Sequence, residues 1–242
     1  MNPNTVSVTA ASERFKCETC ELRSHAICGA LQDEELREMN SIVRQVSLET
    51  GQIVFFEGDP ATFAFNVTKG VVRLSKMLLD GRRQVTGFLY PGDFLGLAAS
   101  KGYIQTAEAI TPVRMCRFDR RNLTRMYVKF PKLEHRLLEV ACNEIVLAQD
   151  QMMLLGRKTA RERLSTFLRN LLSRSGLNER LSGEIELPMD RGDIADYLGL
   201  TKETVSRTFT LLRDEGLIEM PSTTRIVIPD VDGLADAAEN LG

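Results

Sequence analysis

Residues 189–220, MDRGDIADYLGLTKETVSRTFTLLRDEGLIEM, decide how the C-terminal part of the chain folds. Asp190 is placed to cap a short helix carrying Ile194, Ala195 and Leu198, Leu198-Gly199-Leu200 makes a tight turn, and Thr201 is placed to cap a second helix. This is helix-turn-helix spacing. On the second helix Val205, Phe209 and Leu212 share one face, which must pack inward. The opposite face carries Glu203, Ser206, Arg207, Thr210 and Arg213, with Lys202 beside the cap. Glu accepts from cytosine N4, Arg reaches guanine O6 and N7, and Ser meets either a base or a phosphate, so the face suits base-edge reading in the major groove of double-stranded DNA. A solvated helix face is the plainer alternative. The stretch LIEMPSTTRIVIPD (217–230) reads as a β-hairpin of the kind that forms a wing.

Upstream, residues 131–176 carry helical periodicity, with Gly156 as the expected break. Two stripes run along this stretch. One holds Leu138, Ala141, Ile145, Ala148, Met152 and Leu155; the other holds Val140, Asn143, Leu147, Asp150 and Leu154. A helix with two such faces touches two neighbours, and the second stripe is expected to form a parallel homodimer seam while the first rests on its own chain. Cys142 reads as a small buried hydrophobe. Residues 157–174 carry six basic side chains (Arg157, Lys158, Arg161, Arg163, Arg169, Arg174) against Glu162 alone, whereas residues 1–60 hold ten acidic and five basic ones. A polyanion is drawn to the former and repelled by the latter, although the total formal charge is only -2.

Before the helix, residues 47–119 break into short β-rich runs separated by Gly-Asp and Asp-Gly, the pattern of a sandwich or small barrel. Asp80-Gly81 reads as a tight hairpin turn. In 113–119, VRMCRFD, Val113 and Met115 alternate against Arg114, Cys116 and Phe118. Further upstream, residues 15–31, FKCETCELRSHAICGAL, gather Cys17, Cys20 and Cys28. No basic stretch followed by an apolar run precedes them, and no segment approaches the roughly 18 apolar residues of a membrane span, so a cytoplasmic protein without a membrane role and with reduced thiols is expected. With 242 residues, 43% of them hydrophobic, the chain has room for two domains.

Taken together, GQIVFFEGD (51–59), GVVRLSKMLLDGRRQVTGFLYPGDFLG (70–96), GRKTARERLSTFL (156–168) and RGDIADYLGLTKETVSR (191–207) resemble the CRP/FNR superfamily of dimeric bacterial transcription factors over almost the whole length. The resemblance implies an α+β fold: a cysteine segment (1–34), a β-roll sensor domain of the cyclic-nucleotide-binding jelly-roll type (35–130), a dimerisation helix (131–158) and a winged helix-turn-helix (159–242). It implies no enzymatic activity. Glu203, Ser206 and Arg207 match the E-x-x-S-R of the FNR branch, which implies a TTGAT-N4-ATCAA palindrome. The hairpin at Asp80–Arg83 resembles that family's contact with RNA polymerase.

The same resemblance implies the sensor. Members that bind cyclic nucleotides carry a Glu after the GDF-x-G turn and an Arg-Ser pair beyond it; here Gln105-Thr106 stand near that pair, so no cyclic nucleotide is expected. Cys17, Cys20, Cys28 and Cys116 resemble the ligand set of a [4Fe-4S] cluster in oxygen-sensing members, although the seven-residue gap between Cys20 and Cys28 differs from the five of the best-known one. Asp150 resembles the dimer-helix aspartate of that family, expected to meet its twin across the two-fold axis. Three alternatives stay open: a zinc site built from Cys17, Cys20, His25 and Cys28, a haem on His25, His135 or a cysteine, and a cofactor-free regulator with redox-active thiols. A cupin-like enzyme lacks ligands, because both histidines fall outside the barrel.

Overall fold

The turn signals of the middle region fold into a β-roll, seen in a computed structural model that describes residues 17–96, 101–174 and 183–239. Two compact units are present, one ending at Val146 and one beginning at Leu147. The first opens with short 3-10 turns at Cys17–Thr19 and Ile27–Ala30, followed by α1 (Asp33–Ile42). Eight strands follow: β1 (Val43–Leu48), β2 (Ile53–Phe55), β3 (Phe63–Lys69), β4 (Val72–Met77), β5 (Arg83–Leu89), β6 (Phe94–Leu95), β7 (Thr106–Ala109) and β8 (Val113–Asp119). They form two antiparallel sheets, ordered β1-β8-β3-β6 and β2-β7-β4-β5.

Side chains from both sheets, among them Val46, Phe55, Phe65, Val67, Leu74 and Met115, fill the interior of the roll. The Phe55 and Tyr103 rings stack there with centroids 3.5 Å apart, and the Tyr103 hydroxyl donates to the Phe63 carbonyl at 2.8 Å. The first sheet is buried on its other face as well. Ala64, Phe94, Cys116 and Phe118 point there into a second core, closed by Ile27, Leu31, Leu36 and Met39 of the cysteine segment and α1. A sheet buried on both faces explains why β3 shows four consecutive buried residues where an edge sheet would alternate.

Glycine supplies the bends where the chain turns with positive φ. Gly81, at φ 86°, closes the β4–β5 hairpin, but the loop between paired Met77 and Arg83 runs from 78 to 82 and is longer than the tight two-residue turn the sequence suggests. Helix α2 (Arg120–Lys129) starts on an Asp119 cap that accepts from the amides of Arg121 and Asn122. The long helix α3 (Pro131–Arg157) then ends one residue past Gly156, where the sequence places the break. Its end is set by the start of α4 (Ala160–Arg174), where Thr159 and Glu162 form a reciprocal cap: the Thr159 amide donates to the Glu162 carboxylate at 2.5 Å and the Glu162 amide to the Thr159 hydroxyl at 3.4 Å.

The second unit packs α4 against β9 (Gly183–Glu186), α5 (Arg191–Leu198), α6 (Lys202–Asp214) and α7 (Val231–Glu239). Strand β10 (Arg225–Ile228) pairs with β9, and Glu219 joins Val227 through two backbone hydrogen bonds, so the expected wing takes its third strand from before the helix-turn-helix. The mixed architecture is the α+β fold expected from the sequence.

Gly70 sits at φ 79°, where an added Cβ would run into the Pro112 carbonyl and the Thr111 hydroxyl that receives the Val71 amide. Gly70→Ala should therefore destabilise the β-roll by about 1–3 kcal/mol, a shift readable in the urea unfolding midpoint of the first transition.

Candidate functional site

The four cysteines of interest come from two distant segments and meet in one pocket. Cys17, Cys20 and Cys28 lie in and around the two 3-10 turns, and Cys116 projects from the outer face of β8. All four line a single cavity, walled by Leu22, Ala26, Met39, Val67 and Phe118 and touched by Asn66 and Thr68. Alternation along β8 is what brings Cys116 there, since its neighbour Met115 faces the interior of the roll.

Local hydrogen bonds hold the cysteine segment. The Cys17 amide donates to Asn40 Oδ1 at 3.3 Å, and Asn40 in turn donates to Glu18. Arg23 donates to the Leu31 carbonyl at 2.6 Å and to Asp33 at the start of α1. Burial pushes the Cys17 thiol up to about 12 and Cys28 up to about 11, with the neighbouring cysteines adding to both; Cys116 is raised chiefly by burial. Cys17, Cys28 and Cys116 therefore stand as protonated thiols at neutral pH. Among the described residues, no group of three or more His, Cys, Asp or Glu side chains is gathered closely enough to hold a metal ion.

The histidine alternatives find no support in the geometry. His25 is exposed, its Nδ1 lies 3.1 Å from the Ser24 hydroxyl, and it does not line the thiol pocket. His135 is exposed beside Glu139 on α3. Cys142, expected to be buried, is exposed on α3.

The two stripes of α3 differ in their burial within the chain. Val140 packs against the outer core of the first unit and Leu154 is buried in the second, so both ends of the stripe assigned to the seam are taken up within the chain. Asn143, Leu147 and Asp150 between them are exposed. On the other stripe Leu138, Ile145 and Met152 are exposed at 59%, 58% and 66%, a larger apolar surface than the first offers. At about 100° per residue, Asp150 lies about 140° round the helix from Ile145.

The helix-turn-helix is built as its caps suggest. Asp190 accepts from the Asp193 amide, Gly199 closes α5 in the left-handed region at φ 62°, and Thr201 accepts from the Thr204 amide at 3.1 Å. Val205, Phe209 and Leu212 are buried, whereas Lys202, Glu203, Ser206, Arg207, Thr210 and Arg213 are exposed. Backbone amide donation and the Thr201 hydroxyl hold the Glu203 carboxyl below its ordinary value, which keeps it an acceptor. The hydroxyls of Ser206 and Thr210 donate back to the carbonyls of Lys202 and Ser206, and Arg213 pairs with Asp214.

One contributor to this region carries no signal in the sequence. Arg163 donates to three backbone carbonyls at short range, Lys158 at 2.8 Å, Leu155 at 2.9 Å and Leu198 at 2.8 Å, and to that of Gly199 at 3.5 Å. It joins the last turn of α3 to the turn between the two DNA-reading helices, and Gln151 adds a bond to the Tyr197 carbonyl at 2.8 Å. The basic stretch is largely engaged inside the unit. Arg161 pairs with Glu215, and Lys158 and Arg169 both pair with Glu239.

Two family models match the chain: a cyclic nucleotide-binding domain over residues 45–130 and a Crp-like helix-turn-helix domain over residues 162–237. Among curated proteins, the chain is 45% identical to the nitrogen fixation regulation protein FixK of Bradyrhizobium diazoefficiens, over 84% of this chain and 85% of that one. It is 41% identical to the transcriptional activatory protein AadR of Rhodopseudomonas palustris, over 97% and 100%. Among solved structures, FixK2 from Bradyrhizobium japonicum superposes with a TM-score of 0.76 at 35% identity, covering 81% of this chain and 97% of that one. With a reading helix capped and faced for DNA, a β-roll before it and relatives of this kind along nearly its full length, the chain belongs to the CRP/FNR family of transcriptional regulators.

Proposed function

We propose that this protein is an oxygen-responsive transcription activator that binds a TTGAT-N4-ATCAA-type palindrome as a homodimer when a [4Fe-4S] cluster is held by Cys17, Cys20, Cys28 and Cys116. One observation carries the reading: four thiols from segments nearly ninety residues apart line the same apolar pocket. A mononuclear zinc, with Zn–S bonds of about 2.3 Å, draws its sulfurs tightly together, whereas a four-iron cluster takes one thiolate at each iron and suits thiols that share a pocket without crowding one point. Such a cluster supplies an oxygen-labile centre. The chain's own part is to surrender the thiol protons that burial retains, so loading releases protons and is favoured as pH rises.

The seam of the homodimer is assigned to Leu138, Ile145 and Met152. A palindrome engages two reading helices only when two subunits are joined, so association controls DNA affinity. Glu203, Ser206 and Arg207 read base edges; Thr201 and Lys202 meet the backbone, and Thr210 and Arg213 flank them. The β4–β5 hairpin, with Leu79 wholly exposed and Met77 65% exposed, offers RNA polymerase an apolar tip. No cyclic nucleotide is expected in the roll: Gln105 is uncharged and accepts from Thr86, and Arg73 is paired with Glu108. The residues just after the GDF-x-G turn, 97–100, where the nucleotide-binding members place their Glu, lie outside the described residues, as do residues 1–16. A second reading, a regulator without a cofactor, is favoured by the apolar walls that close on the thiols.

Purification without oxygen should yield about four iron and four sulfide per chain and a visible absorbance that bleaches in air. Stoichiometric zinc, or metal-free protein that binds the palindrome equally well in air, would sink the cluster reading and leave the DNA-binding one. Ile145→Glu should give monomers by sedimentation at concentrations where the parent associates. If Leu147→Glu separates the subunits and Ile145→Glu does not, the seam belongs to the other stripe. Arg207→Ala should lose about 1–3 kcal/mol of discrimination at one base pair; equal losses on palindromic and random DNA would make it a phosphate contact.

A further inference from the structure

The thiol pocket contains a polar side chain that the fold alone does not explain. Asn66 lies on β3 directly opposite Cys116 on β8, in a register that also places Ala64 opposite Phe118. Opposed residues hold their Cβ atoms about 4.5–5.5 Å apart on the same face of the sheet. Asn66 is 3% exposed, lines the cavity with the four cysteines, and its Oδ1 has no hydrogen-bond partner among the described residues. Two residues on, Thr68 lines the same cavity and its hydroxyl is likewise buried without a partner among the described residues. The surroundings, Ala64, Phe94 and Phe118, would accept an apolar side chain, and an unpaired buried polar atom destabilises a folded chain.

We infer that Asn66 is a positioning residue of the thiol site, donating a carboxamide N–H to sulfur at Cys116 once that site is loaded, with the Thr68 hydroxyl as a second donor. Thiolate and sulfide sulfur only accept hydrogen bonds, whereas a carboxamide carries two N–H donors on the other side of the same group. Rotation about the last side-chain bond exchanges the oxygen and nitrogen positions without moving the backbone. Hydrogen bonds to the sulfurs are among the factors that set the reduction potential and durability of such centres, so these two side chains set how quickly air destroys the loaded state. The inference rests on the cluster reading given above and deepens it.

Asn66→Leu, which keeps the parent's branching at Cγ without its donors, and Thr68→Val test it in the full-length protein purified without oxygen. Iron per chain, the rate at which visible absorbance falls on admitting air, and the melting temperature of the metal-free protein are read for each. Both variants should load with iron, and Asn66→Leu should lose its absorbance about tenfold faster than the parent. Metal-free Asn66→Leu should melt at the parent's temperature or above it, because an unpaired buried acceptor has been removed. Absorbance lost at the parent rate, or a metal-free protein that melts lower, would overturn the role and leave Asn66 a structural residue. Absence of iron from the parent itself would remove the cluster reading and this inference with it, an outcome distinct from a loaded parent with an unaffected variant.

Discussion

The β3–β8 pair, buried on both faces, is the constraint on which the first unit depends. Along β8, Val113 and Met115 seal the interior of the roll while Cys116 and Phe118 stand under the cysteine segment and α1. A slip of one residue in the register with β1 or β3 would turn Cys116 inward and Met115 outward, emptying the pocket of one thiol and opening both cores. The register is thus fixed twice, by two hydrophobic cores with opposite demands. The N-terminal thiols depend on it in turn, because Cys17 and Cys28 are themselves members of the outer core, at 4% and 7% exposure.

In the second unit the organising contact is a single guanidinium. The last carbonyls of a helix have no partner within it, and those of Leu155 and Leu198 belong to two different helix ends. Arg163 satisfies both and adds Lys158 between them, using donors that point in fixed directions from one planar group. A lysine, with one compact ammonium, could not span the three. The positive charge of residues 157–174 therefore serves internal cohesion more than attraction of a polyanion, and the exposed cations of the reading face, Lys202 and Arg207, are left to the DNA.

How much of this the sequence carried depends on whether the cause was local. Caps and turns are local chemistry, so Asp190, Gly199 and Thr201 marked the helix-turn-helix and its inward face, and Asp-Gly and Gly-Asp marked the strands of the roll. The break after α3 falls one residue past Gly156, as the glycine marked it, and Thr159 with Glu162 caps the helix that follows. Helices α1, α2 and α7 were not anticipated, although the Gln32 and Asp119 caps gave a signal for the first two. Neither the choice between the stripes of α3 nor the place of Asn66 is local: each depends on which neighbour covers a face, and periodicity does not name the neighbour.

That dependence on neighbours gives the start of α3 a particular position between the pocket and the proposed seam. Leu137 and Val140 pack against the same outer core that contains Cys17, Cys28 and Cys116. Leu138, one residue from Leu137 and on the exposed stripe, belongs to the surface proposed to meet a second subunit. A change in how the cysteine segment seats on β3 and β8 must be accommodated by side chains that close-packed interiors do not let move independently, and Leu137 and Val140 are among them. The inward face of the helix would then report the state of the thiols, and the outward face would convert small rotations of the same turns into a better or worse fit between subunits. One helix with two apolar faces can do this where a helix with one cannot, because a seam built on a helix anchored elsewhere would have no contact through which the pocket could act.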